Sequence, residues 1–180
     1  MTNFGNLRVL EDTDLELIRS WRNAPEVASK MYTRHYISES EHKLWWQNVR
    51  ERDDQSYFLY EKANIPLGVV SLSQIDTINK NCFWAFYASP CAPPGTGSKM
   101  EFLALEHVFG FLGMNKLSCE VLAFNEPVIK LHKKFGFREE GRFREHHRID
   151  DKHVDIIRLG MLAREWSGAR EEMKDRIHGN

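Results

Sequence analysis

The 180-residue sequence predicts a mixed α/β (α+β) fold organised as one domain. Three observations carry that prediction. The apolar period switches repeatedly between strand-like alternation and helical spacing. Helix-start patterns recur at Thr13, Ser38 and Asn125. The strongest turn punctuation, Ser89 to Gly97, stands between a strand pattern and a helix pattern. No repeat, low-complexity tract or linker divides positions 1–180, so a core of about 7–166 with a helical tail at about 165–180 is expected.

Composition narrows the class. Hydrophobic residues at 42% and charged residues at 28% fit a globular chain, long enough to bury roughly 70% of its unfolded surface. The 25 Lys plus Arg nearly cancel 26 Asp plus Glu, which argues against a nucleic-acid partner. No apolar run reaches the length of a membrane span, and the opening MTNFGNLRVL lacks signal-peptide character, so a cytoplasmic protein without a membrane partner is expected. Cys82, Cys91 and Cys119 are odd in number and widely spaced, which speaks against a disulfide framework or a structural zinc site.

The elements follow in order. Leu7–Leu10 reads as a short strand. Thr13-x-x-Glu16 is a capping-box pattern, with Leu15, Ile18 and Trp21 at helical spacing to about Asn23, where Pro25 ends or redirects the helix. Residues 26–37 are irregular or partly helical, and Ser38-x-x-Glu41 starts a helix to about Arg50. Strands are expected at Tyr57–Tyr60, Leu67–Gln74 and Cys82–Ala88, with a turn at Lys62-Ala63-Asn64. A helix runs from Ser98 to about Leu112 and closes at Gly113; Lys116–Ala123 is a strand. Asn125-Glu126-Pro127 opens a helix ending at Gly136, and Phe137–Arg148 with Val154–Ala163 forms a hairpin across Asp150-Asp151.

Two constellations carry chemistry. Pro94-Gly95-Thr96-Gly97-Ser98-Lys99 joins an aromatic strand to a helix, where glycines and a helix start can turn backbone N–H groups onto a phosphate; a flexible glycine turn is the plainer reading. It is not a Walker A loop, since Ala92, Ser98 and Lys99 stand where Gly, Lys and Ser or Thr are required. The second is Cys119-Glu120-Val121-Leu122-Ala123-Phe124-Asn125, followed by His132 and Lys134-Phe135-Gly136-Phe137. His146-His147 cannot both ligate one ion, because adjacent strand residues point to opposite faces, so no metal site is expected.

The Gly95-x-Gly97 loop, Asn125 at the next strand-to-helix junction and the Lys134–Phe137 segment, in this element order from Leu7 to about Trp166, resemble the GNAT (general N-acetyltransferase) superfamily. That resemblance implies a mixed, mostly antiparallel sheet with helices on both faces. It also implies acetyl-CoA held in a V between two splayed parallel strands, here Phe83–Ala88 and Ser118–Phe124. The family loop usually begins with Gln or Arg where this chain has Ala92. The cofactor would be held by the backbone of Gly95, Thr96, Gly97 and Ser98, by the Tyr87-Ala88 strand edge and by Asn125. His132 stands where many members place a Tyr that protonates the CoA thiolate, and imidazole titrates nearer neutral pH than phenol.

The N-terminal half, through Trp21-Arg22-Asn23, Met31-Tyr32, Ile37-Ser38, His42 and Trp45, is similar to the sugar-nucleotide acetyltransferases of pseudaminic acid synthesis, a step associated with flagellin glycosylation. This implies a UDP-4-amino-4,6-dideoxy-N-acetyl-hexosamine acceptor, with Arg22, Met31, His42 and Trp45 binding the substrate and Ser71 with Glu120 relaying the amine proton. Two alternatives stand beside it: a protein N-terminus, polyamine or other small amine as acceptor, and a non-catalytic acetyl-CoA-binding module. With 5 Trp and 11 Phe, a homodimer is an open expectation, and the hairpin positions Ile156-Ile157 are its candidate edge.

Overall fold

The computed structural model describes residues 4–178; positions 1–3 and 179–180 of the expected 1–180 span lie outside the described residues. Alternating side chains build seven strands: β1 (Asn6–Val9), β2 (Ser56–Lys62), β3 (Ile65–Asp76), β4 (Asn81–Ala88), β5 (Lys116–Leu122), β6 (Arg138–Ile149) and β7 (Lys152–Leu162). They form one sheet in the order β1-β2-β3-β4-β5-β7-β6. Every neighbouring pair is antiparallel except β4–β5, which is parallel from Asn81↔Lys116 to Phe83↔Ser118. Beyond Phe83 the two strands part, and β4 stays paired only with β3, as far as Ala88↔Gly68. The expected mixed sheet with a splayed parallel pair is therefore present.

The helices are α1 (Leu15–Asn23), α2 (Pro25–Ala28), α3 (Glu39–Val49), α4 (Thr96–Leu105), α5 (Glu126–Phe135) and α6 (Ala163–His178). They lie on both faces because strand residues alternate between two apolar layers. On β2, Phe58 and Tyr60 join the layer under α4, α5 and α6, where Met100, Phe102, Phe135 and Trp166 pack. Leu59, between them, joins the opposite layer with Ile18, Trp21 and Trp46 of α1 and α3. Burial of one such side chain is worth about 1.5–3 kcal/mol, so this alternation fixes which face each strand residue serves.

Local chemistry explains the boundaries. Ser38 caps α3 by accepting from the Glu41 amide at 3.2 Å. Pro25 occupies the first turn of α2, and Gly136, at φ +102°, closes α5. Ala63 and Asn64 both take positive φ in the two-residue turn between β2 and β3.

Several boundaries differ from expectation. Thr13 does not start α1: a 3-10 turn at Asp12–Asp14 precedes it, and Asp14 Oδ2 accepts from the Glu11 amide at 2.9 Å. Arg8 grips that same carboxylate with both terminal nitrogens at 2.8 and 2.9 Å, so the acid is committed before Thr13 can cap. Helix α4 begins at Thr96, not Ser98, and beyond Leu105 it widens into a π-type segment over Glu106–Phe111. Ile156 and Ile157 are 2% and 5% exposed on β7, which lies inside the sheet, so they form no edge; β6 is the edge strand there. No helix among the described residues is long and apolar enough to cross a membrane.

Candidate active site

The parting of β4 from β5 opens a cleft of about 480 Å³, lined on one side by Trp84 to Ala88 and on the other by Cys119 to Leu122. Asn125, Val128 and His132 complete it from α5. A second cavity of about 330 Å³ adjoins it under α1 and α3, walled by His42, Trp45, Tyr57, Ser71 and Glu41. Arg22, Met31, Thr33, Ala85, Phe86 and Tyr87 line both, so the two form one continuous path.

The glycine loop leads from β4 into α4, and Gly95 and Ser98 line a separate cavity of about 310 Å³ with Lys99 and Lys134. Gly95 takes φ +84°, a conformation that strains any other L residue, and a Cβ there would meet open space. Gly97 serves packing as well, since a Cβ would come within 3.3 Å of Leu131 and 3.5 Å of Phe86. Both the amide and the hydroxyl of Thr96 turn back onto the Pro93 carbonyl, at 3.2 and 2.7 Å. The Lys99 amide reaches the Gly95 carbonyl at 3.3 Å, and the amides of Gly95, Gly97 and Ser98 have no such loop partner. Asn125 is buried at the start of α5, with its own amide on the Leu122 carbonyl at 2.8 Å. From Trp84 to Ala88, the side of β4 that faces β5 carries no strand partner, so an extended amide-bearing chain can pair with it.

On the acceptor side, Arg22 is half-buried, and its Nη1 is shut from solvent without a hydrogen-bond partner. Its guanidinium lies 5.9 Å from the Tyr87 ring, and burial pulls its pKa down. His42 is 5% exposed and stacks on Trp45 at 4.9 Å between centroids. Burial, then the charges of Arg19 and Arg22, hold His42 below the ordinary histidine value, so it is a neutral hydrogen-bonding group near pH 7. Trp45 presents its ring to the cavity while Trp46 turns inward and donates its indole N–H to Asp12 at 2.6 Å. Met31 sits at the junction of the two spaces.

The expected relay residues lie in different parts of this path. Ser71 Oγ donates to the Ala85 carbonyl at 3.3 Å within the acceptor cavity. Glu120 lines the cleft, where it accepts from Arg158 at 2.9 Å and from the Tyr32 hydroxyl at 3.4 Å. Arg158 is itself braced 4.0 Å over the Phe83 ring. The hydroxyl in contact with Glu120 is thus that of Tyr32.

His132, 2% exposed, bonds through Nδ1 to Glu101 Oε1 at 2.9 Å. Burial lowers the imidazolium pKa, but the Glu101 charge and the hydrogen bond that Glu101 accepts lift it to about 10. Burial pushes the Glu101 carboxyl up, while the His132 charge and hydrogen bond pull it down, so the two groups share one proton across the Glu101–His132 bond. Glu101 escaped the sequence reading. Its signal was a carboxylate set in the apolar run Met100-Glu101-Phe102-Leu103-Ala104-Leu105. Among the described residues no group of His, Cys, Asp and Glu could hold a metal ion.

The open edge of β4 and the polar groups of the cleft wall could receive an extended, amide-bearing ligand, with the glycine loop at the next helix start. The acetyltransferase (GNAT) domain family matches residues 6–138. The chain belongs to the GNAT acetyltransferase family. As a GNAT enzyme it is an acetyl-CoA-dependent N-acetyltransferase. It is 28% identical to the acetyltransferase PseH of Campylobacter jejuni over 137 residues, covering 76% of this chain and 85% of that one. It is 26% identical to spermidine N(1)-acetyltransferase of Escherichia coli over 160 residues, covering 86% and 78%. Its fold matches that of spermidine N-acetyltransferase from Vibrio cholerae, solved with CoA and spermine, at TM-score 0.84 and 24% identity, over 90% of this chain and 97% of that one. Among GNAT relatives, identities of 28% and 26% lie too close to choose an acceptor, so the choice falls to the pocket.

Proposed function

We propose that the protein moves the acetyl group of acetyl-CoA onto the 4-amine of a UDP-4-amino-4,6-dideoxy-N-acetyl-hexosamine, the pseudaminic acid pathway step, by direct attack in a ternary complex. The observation that carries this is the unpartnered Nη1 of Arg22, shut from solvent where the acceptor cavity meets the cleft. An unpaired buried charge costs several kcal/mol, and an anionic ligand would offset that cost. Glu41, the carboxylate lining the same cavity, is already taken by His35 at 2.8 Å. A polycation entering the acceptor cavity would meet a guanidinium, with the carboxylates of Glu26 and Glu120 on the cleft side, whereas a diphosphate would find a donor fork. The Trp45 ring, half-buried in the cavity wall, suits a uracil ring, and neutral His42 suits a phosphate or ribose oxygen.

In this reading the amides of Gly95, Gly97 and Ser98 bind the CoA pyrophosphate, Asn125 closes the cleft wall, and the Tyr87-Ala88 edge pairs with the pantetheine amides. A free N–H of that edge meets the thioester oxygen as charge develops on it. Glu120, held by Arg158 and Tyr32, draws off the amine proton, with Ser71 serving the acceptor side of the path. His132 gives a proton to the departing thiolate.

Acetyl-CoA-dependent thiol release should be measured with a UDP-4-amino-4,6-dideoxy sugar, spermidine and peptides bearing free N-termini. Turnover of the sugar nucleotide alone is the expected result. Turnover of spermidine or a peptide in its place would discard the roles given to Arg22, His42 and Trp45.

A further inference from the structure

The cleft wall beyond the last parallel residue pair carries two polar groups, His132 and Trp84, that an apolar wall would not need, with a third, Glu101, buried behind them. Glu101 is 0% exposed, and its Oε2 has no partner. His132 spends Nδ1 on Glu101, which leaves Nε2 for the cleft. Trp84 is 3% exposed, lines the same cleft, and its indole N–H has no partner. Buried N–H groups in folded proteins are nearly always paired, so an unpaired one on a ligand cleft calls for an acceptor from the ligand.

The surroundings set what that acceptor is. The Trp84 ring lies edge-on to His132 at 5.3 Å, stacks on Phe86 at 5.1 Å, and Phe137 flanks His132 at 5.3 Å. The titratable groups facing the imidazole are Glu101 from α4 and the thiol of Cys119 from β5. Lys133, next in the helix, is turned outward onto Glu139 at 2.8 Å. Glu120 lies on the other face of β5, engaged with Arg158.

We propose that Glu101 is the positioning residue that holds His132 as a charged acid, and that His132 Nε2–H and Trp84 Nε1–H together receive the CoA thiolate. This rests on the acetyl-transfer reading above but not on the choice of acceptor. As the amine nitrogen bonds to the thioester carbon, the C–S bond breaks and its electron pair goes to sulfur. The Nε2 proton passes to that sulfur, giving the free thiol of CoA. The ring is left neutral on the Glu101 carboxylate, while the proton shed by the amine leaves by way of Glu120, so charge and atoms balance. Solvent reprotonates His132 after the products depart. Trp84 gives no proton; its N–H bonds to the sulfur as charge builds there.

Two measurements test this. The first is an NMR titration of the His132 ring in the wild type and in Glu101→Gln, each without ligand and with CoA. The wild-type ring should stay imidazolium through pH 9, and in Glu101→Gln it should turn neutral at or below the ordinary value of about 6.5, because burial then acts unopposed. The second is kcat for an acceptor the wild type uses, as the ratio of wild type to Glu101→Gln at each pH. That ratio should be about 30 at pH 8 and fall below about 2 at pH 6, following the protonated fraction of a histidine at 6.5. Glu101→Asp should recover part of the loss, and Trp84→Phe should lower kcat several-fold without raising KM for acetyl-CoA. A wild-type ring that titrates near or below 6.5, or a ratio that does not change with pH, overturns the proposal. A protein inactive on the amino sugar but with His132 charged to pH 9 sinks the acceptor reading and supports the pair.

Discussion

Two histidines in this molecule are almost equally buried, yet their surroundings drive them in opposite directions. His132 is 2% exposed on the donor side and His42 is 5% exposed on the acceptor side, and burial alone would discharge both. The difference is the nearest charge. Glu101 lifts His132 to about 10, whereas Arg19 and Arg22 add to burial and keep His42 low. One region therefore stores a proton, and the other shows an uncompensated guanidinium beside a neutral ring. Burial does not set the chemistry of a site; the charges buried with it do.

The sharpest way to break the comparison is to take the guanidinium out of the acceptor side. Arg22→Ala should lower kcat/KM for the sugar nucleotide by about 100-fold, in line with the 2–5 kcal/mol lost when a buried charge contact is truncated. KM for acetyl-CoA should barely move, and steady-state kinetics with each substrate varied separates the two. Second in size is the pH-dependent ratio for Glu101→Gln, near 30 at pH 8, which should leave sugar-nucleotide affinity intact. The sign follows from the pKa values: the wild-type acid is lost only as pH rises through about 10, and the variant's is lost before neutrality. Trp45→Ala should raise KM for the sugar nucleotide about tenfold, the worth of one stacked base, while Trp45→Phe keeps most of it. The smallest effect belongs to the loop. Gly95→Ala forces an L residue to φ +84°, which costs about 1 kcal/mol and should lower Tm by about 2–4 °C in a melting scan.

The two regions were also unequally legible in the sequence. Local signals held: Ser38 caps its helix, the first helix stops before Pro25, Gly136 closes α5 and the glycine loop leads into α4. Each depends on residues within a turn of one another, so sequence spacing contains the whole interaction. The Glu101–His132 bond joins residues 31 apart through the packing of α4 against α5, and Tyr32 meets Glu120 across 88 residues. Neither partner could be read from spacing. Where two local signals competed, the sequence misled: Thr13 looked like a cap, but Arg8 had already organised Asp14 for the turn. Ser71 and Glu120 both sit mid-strand as expected, and the register puts one in the acceptor cavity and the other in the cleft.

Arg22 is proposed to fit the acceptor cavity for an anion. Calorimetric titration of UDP into the CoA-bound protein, wild type against Arg22→Ala, with spermidine as the opposing ligand, tests it most directly. UDP should bind the wild type and bind Arg22→Ala at least tenfold more weakly, and spermidine should give no heat with either. Binding of spermidine to the wild type, with UDP showing none, would contradict it.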